Sequence, residues 1–128
     1  MIHMNSFRVM MYRIQFQERV LMNLNRNEKF TAIKDWQDEH CTVYLQGELD
    51  LAAAPEFRKL MEPIIGDDKL NLRINLKDLK YIDSTGIGIL LSILKARHGM
   101  NSSFVVEEVP AQIQKLFSMT GISKFFAV

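Results

Sequence analysis

Phe30-Thr31-Ala32-Ile33-Lys34 and Cys41-Thr42-Val43-Tyr44-Leu45-Gln46 alternate apolar and polar positions with the period of two that puts every second side chain on one face of a strand. The polar run Asp35-Trp36-Gln37-Asp38-Glu39-His40 lies between them, so the simplest reading is an antiparallel hairpin with that run as its turn. The period then lengthens. Pro55 suits the first turn of a helix, and Phe57, Leu60, Met61, Ile64 and Ile65 recur at helical spacing up to a stop at Gly66. Leu70-Asn71-Leu72-Arg73-Ile74-Asn75-Leu76 returns to strict alternation, which predicts a half-buried or edge-tolerant strand, with Lys77-Asp78-Leu79-Lys80 as a polar connection after it.

A second helix follows Tyr81-Ile82-Asp83-Ser84-Thr85-Gly86. Ile87, Leu90, Leu91 and Leu94 form its apolar stripe, Ile89 and Ile93 widen it, Lys95 and Arg97 suit the negative end of the helix dipole, and Gly99 suits the position just past the end. Ser103 to Val106 reads as a short strand. Pro110 introduces a third helix, Ala111 to Met119, with Ile113, Leu116 and Phe117 as its buried positions and Gly121 as its stop; Phe125-Phe126-Ala127-Val128 reads as a last strand. Strands alternating with helices of this length predict an α/β fold: a mixed sheet with an opening antiparallel hairpin, then parallel strands joined by right-handed crossovers, and α-helices packed on it.

Residues 1–27 lie outside this pattern and read as an N-terminal extension to a domain covering 28–128. The extension is rich in methionine (Met1, Met4, Met10, Met11, Met22) and carries Arg8, Arg13, Arg19 and Arg26. It reads as a flexible tail; the alternatives are a partner-binding helix within Val9 to Leu24 and a gene that really begins at Met22. A chain of 128 residues with 48% hydrophobic content holds one ordinary domain. Its net charge of +1 provides no broad basic field for nucleic acid or an anionic membrane. Cys41 is the single cysteine and sits in a strand-like run, which fits a small buried hydrophobe in a reducing cytoplasm. No apolar stretch approaches the roughly 20 residues that cross a bilayer, and residues 1–13 lack an apolar signal core, so a cytoplasmic protein without membrane contact is expected.

The chemistry concentrates in Asp83-Ser84-Thr85-Gly86-Ile87-Gly88, where a buried strand meets an apolar helix. Ser and Thr are favoured helix N-caps because the hydroxyl oxygen accepts a first-turn amide, and that structural role is one reading of Ser84 and Thr85. A second role needs the same place: a hydroxyl at a helix mouth lies at the positive end of the macrodipole, where unpaired amides receive a phosphate dianion. Asp83 adds a negative charge beside it. Gly86 and Gly88 each weaken a helix by roughly 0.5–1 kcal/mol relative to Ala, so two of them in one first turn imply backbone that a neighbouring strand or another protein must approach. Enzymatic use of Ser84 as a nucleophile needs a base, and the histidines do not supply one: His3 lies in the extension, His40 in a polar turn and His98 at the far end of the helix that Ser84 opens. No nucleophile elbow, phosphate-binding loop or paired Cys/His ligands are present, so neither catalysis nor a metal or cofactor is expected.

Gly47-Glu48-Leu49-Asp50, the helix opening at Pro55, the strand Leu72 to Leu76, the run Tyr81 to Gly88 and Ile113-Gln114-Lys115-Leu116-Phe117-Ser118-Met119-Thr120-Gly121 occur in an order and spacing that resembles the STAS family, in particular its bacterial anti-sigma factor antagonists. The resemblance runs from about Glu28 to Val128. It implies a partner-switching protein: the unmodified antagonist binds an anti-sigma factor that is also an ATP-dependent serine kinase and so frees the sigma factor, phosphorylation abolishes that binding, and a phosphoserine phosphatase resets it. By the same resemblance Ser84 is the phosphoacceptor, and Asp50, Asp83, Thr85, Gly86, Ile87 and Gly88 surround it as the partner-binding surface. A monomer is the expected state of a switch that must expose its helix mouth to a kinase. Asp50 is alternatively a turn or cap residue leading to Pro55. The other role open to a chain resembling this family is that of a scaffold subunit in a stress-sensing complex or in a lipid or anion transport system. Ala53 departs from the family, which commonly carries Thr or Ser there, so the first helix lacks a hydroxyl cap typically worth about 1 kcal/mol.

Overall fold

Residues 29–126 are described by a computed structural model; the N-terminal extension and Ala127-Val128 lie outside them. Phe30–Gln37 (β1) and His40–Leu49 (β2) pair antiparallel from Phe30↔Gly47 to Gln37↔His40. The polar run expected as a six-residue turn is therefore mostly strand. Only Asp38 and Glu39 turn the chain, and Asp38 takes the positive φ of 54° that a tight connection demands and that aspartate tolerates better than most residues.

Ala54–Ile65 (α1) crosses from β2 to Asn71–Ile82 (β3), and Ser84–Gly99 (α2) crosses from β3 to Phe104–Glu107 (β4). The sheet has the order β1-β2-β3-β4, antiparallel at β1/β2 and parallel at β2/β3 and β3/β4. Ala111–Met119 (α3) and a 3-10 turn at Ser123–Phe125 complete the described chain. This is the mixed α/β sheet expected. Cys41, Val43 and Leu45 of β2, Leu72, Ile74 and Leu76 of β3, and Phe57, Met61 and Ile64 of α1 join one core with Ile89, Leu90 and Ile93 of α2.

Five details depart from the sequence reading. β3 is no edge strand but is paired on both sides, and it runs on through Lys77-Asp78-Leu79-Lys80 to Ile82. Two bulges hide this: Tyr44 pairs with Asn75 but Gln46 with Asp78, and Gly47 pairs with Leu79 but Glu48 with Tyr81. Each inserts an extra residue in β3, so the buried Leu76, Leu79 and Ile82 recur every three residues and lose the alternation that marks a strand. In α2 the buried line is Gly86, Ile89, Leu90, Ile93 and Arg97, whereas Ile87, Leu91 and Leu94 are only half-buried.

Arg97 was expected to face the helix dipole, yet it is fully buried. Its guanidinium donates to the carbonyls of Ser103 (3.1 Å), Ile65 (2.9 Å), Asp67 (2.7 Å) and Leu70, tying the end of α2 to the loop after α1 and to the approach to β4. α2 also continues through Gly99, and the left-handed residue after it is Asn101, with φ 55°. Finally, Phe125-Phe126 is not a strand but lies in and after the 3-10 turn, where Phe126 packs on Phe117 with ring centroids 5.3 Å apart.

Candidate functional site at the mouth of the second helix

β2 and β3 end side by side at Leu49↔Ile82, and the chain leaving each of them meets at one carboxylate. Asp83 is extended (φ −105°, ψ −175°) and is the N-cap of α2: its Oδ1 accepts the Gly86 amide at 3.0 Å and its backbone carbonyl accepts the Ile87 amide at 3.0 Å. The cap is thus neither Ser84 nor Thr85, a correction with a simple cause. An aspartate in β conformation just before the first helical residue reaches the third helical amide and sets a full negative charge on the positive helix end, so it outcompetes a hydroxyl placed one residue later inside the helix. Relieved of capping, Ser84 is the first residue of α2 and is exposed, with Thr85 half-buried beside it.

The second oxygen of Asp83 holds the other loop. Its Oδ2 accepts the Leu51 amide at 3.1 Å, and the Asp83 amide donates to the Leu49 carbonyl at 3.3 Å. Asp50, just before Leu51, uses its own Oδ1 to accept the Ala53 amide at 3.0 Å, while its carbonyl accepts the amides of Ala53 and Ala54 at 3.2 and 3.0 Å. The turn role of Asp50 is therefore real; Ala53 is the N-cap of α1 and makes no side-chain cap bond. Asp50 lies in the loop beside the helix mouth that Ser84 opens, and its carboxylate bonds to its own turn.

The two glycines divide the roles considered for them. A Cβ on Gly86 would lie 2.6 Å from the Leu49 carbonyl oxygen and 2.7 Å from Ile82 Cγ1, so Gly86 is where α2 presses onto the ends of β2 and β3. Gly88 is exposed, and a Cβ there would meet nothing within 4 Å. Ile87, between them, is half-buried. The surface around Ser84 thus consists of the exposed Ser84 and Gly88, the partly exposed Thr85 and Ile87, and the loop of Asp50 and Leu51.

Leu51 was not singled out from the sequence, yet 71% of it is exposed. A lone loop leucine carries no signal of its own, because apolar side chains occur on every protein surface. His40 opens β2, at the end opposite this site, and His98 is exposed in the last turn of α2. Among the described residues no group of three or more His, Cys, Asp or Glu is placed to hold a metal ion, and no helix is long and apolar enough to cross a membrane.

Comparison with known proteins accords with this arrangement of elements. The profile of the family described as "Mlab, STAS domain" matches residues 33–127. The chain belongs to the STAS domain family. An anti-sigma-B factor antagonist from Staphylococcus aureus is 32% identical over 92 residues, covering 72% of this chain and 85% of the relative. One from Listeria monocytogenes is 28% identical over 96 residues, covering 75% and 84%. The crystal structure of an anti-sigma factor antagonist from Mycobacterium paratuberculosis superposes with a TM-score of 0.70 at 23% identity, covering 77% of this chain and 83% of that one, a likeness of fold. The STAS fold here therefore brings an exposed serine to a capped helix mouth.

Proposed function

We propose that this STAS chain is an anti-sigma factor antagonist whose unmodified form binds an anti-sigma factor that is also a serine kinase, so freeing a sigma factor, and whose binding ends when Ser84 is phosphorylated. The observation that carries the reading is the exposed Ser84 as first residue of α2, immediately after a cap that does not need its hydroxyl. A phosphate there adds about −1.5 to −2 charge at an exposed position, without any demand on the core. The group would stand at a helix N-terminus, where the dipole tolerates an anion, but beside the carboxylate of Asp83, so the surface becomes strongly negative. A partner fitted to a neutral serine then faces a changed potential on an unchanged fold. In this reading the chain is the substrate of a kinase and of a resetting phosphatase, acts as a monomer in the cytoplasm, and has no catalysis of its own. The names of its relatives in Staphylococcus and Listeria support the antagonist role.

The test is incubation of the full chain with the anti-sigma factor kinases of its own organism and ATP, read by intact-mass spectrometry and size-exclusion chromatography. One added phosphate is expected, located on Ser84, absent in Ser84→Ala and accompanied by release of the complex. A phosphate elsewhere, or a complex that survives modification, refutes the switch.

A further inference from the structure

Leu51 is the most solvent-exposed leucine next to the site, and the fold does nothing to hide it. It is also held in place. Its amide is bound to Asp83 Oδ2 at 3.1 Å, and the residue before it is locked in a turn by the Asp50 to Ala53 bonds at 3.0 and 3.2 Å. An apolar side chain that is both exposed and backbone-fixed has already lost the loop freedom that docking would otherwise cost, which is the condition under which single residues dominate an interface. The carboxylate that fixes Leu51 is the one that caps α2 directly before Ser84, so the positions of the leucine and the serine are set by a single side chain.

We infer that Leu51 is the apolar anchor of this surface, buried in a hydrophobic socket of the anti-sigma factor, and that negative charge at Ser84 acts by making that burial costly. This rests on the antagonist reading above. On this inference, docking removes water from Leu51 and from whatever stands at Ser84 together, since one carboxylate fixes the backbone beside both. A hydroxyl gives up its hydration readily, whereas a dianion does not. The switch then needs no movement of the STAS fold: the serine sets the cost of desolvation, and the leucine supplies the gain that is forfeited. Leucine burial contributes a factor of about ten or more to an affinity.

The test is a double-mutant cycle by isothermal titration calorimetry, with the full chain titrated into the kinase from its own organism that binds it, with ADP in place of ATP. Leu51→Ala is expected to weaken binding about tenfold or more, while Ala52→Ser, at the exposed neighbouring residue, changes it less than about twofold. Ser84→Asp is expected to weaken the wild-type complex strongly but the Leu51→Ala complex at least about threefold less, which is the coupling the inference requires. Leu51→Ala should leave the melting temperature unchanged, because the side chain supports no core contact. Binding by Leu51→Ala within threefold of wild type, or an equal effect of Ser84→Asp in both backgrounds, overturns the inference while leaving the antagonist reading intact. Failure of the wild-type chain to bind any such kinase overturns both.

Discussion

Asp83→Ala separates the cap from the serine. In the native structure the Asp83 carboxylate accepts Gly86 N at 3.0 Å and Leu51 N at 3.1 Å, and it is the N-cap of α2, with no acidic residue in the first turn itself. Loss of an N-cap side chain costs about 1 kcal/mol. Loss of its charge from the helix end adds roughly 0.3–1 kcal/mol, and the bond to Leu51, an exposed amide that water can satisfy, adds about 0.5–1 kcal/mol. The total is about 2–3 kcal/mol, measurable as a lower urea midpoint at constant slope. Asp83→Asn keeps an acceptor for only one of the two amides and loses the charge, so about half of that cost is expected. Ser84→Ala is the decisive control: an exposed first-turn residue that caps nothing should change stability by less than about 0.5 kcal/mol. If Ser84→Ala costs about 1 kcal/mol and Asp83→Ala less than about 0.5 kcal/mol, the serine is the cap after all and the argument for its availability fails.

Two further outcomes follow from groups buried away from the site. Arg97→Met removes a fully buried guanidinium that serves the carbonyls of Ile65, Asp67, Leu70 and Ser103, and strands those acceptors; a loss of about 3–5 kcal/mol is expected in urea unfolding, and a loss under 1 kcal/mol contradicts the role assigned to it. Burial pushes the Cys41 thiol from 9.0 up to about 12, with nearby Asp35 raising it further and Lys34 opposing. The unfolded chain therefore releases this proton at a lower pH than the folded one, so stability attributable to the thiol is complete below pH 9 and falls as the pH rises from 9 towards 12. Cys41→Ala should flatten that part of the alkaline stability profile, and an unchanged slope refutes the assignment.

Much of this molecule was legible before any coordinates. The alternation in Cys41 to Gln46 and the helical spacing from Phe57 to Ile65 depend on one buried face each, and a buried face writes its period directly into the chain. The junction at Asp83 to Gly88 was legible for the same reason, since a strand end followed by a helix start requires capping chemistry and the choice of residues is small. What failed had a non-local cause. The extra length of β3 came from bulges whose register is set by β2, so Leu76, Leu79 and Ile82 share a face only because the partner strand makes them do so. The buried stripe of α2 was misplaced by one row because Gly86, the residue of closest approach, contributes no side chain to the pattern. Arg97 was in phase with that stripe, but a charge at a core position is stable only where several carbonyls from distant segments converge, and no local signal announces such a meeting. The division between Asp83 and Ser84 had both a local and a tertiary part. Composition placed a carboxylate and a hydroxyl at the helix mouth, the extended backbone of Asp83 decided which of them caps α2, and only the tertiary fold brought the Leu51 amide from the neighbouring loop to the second oxygen of that same carboxylate.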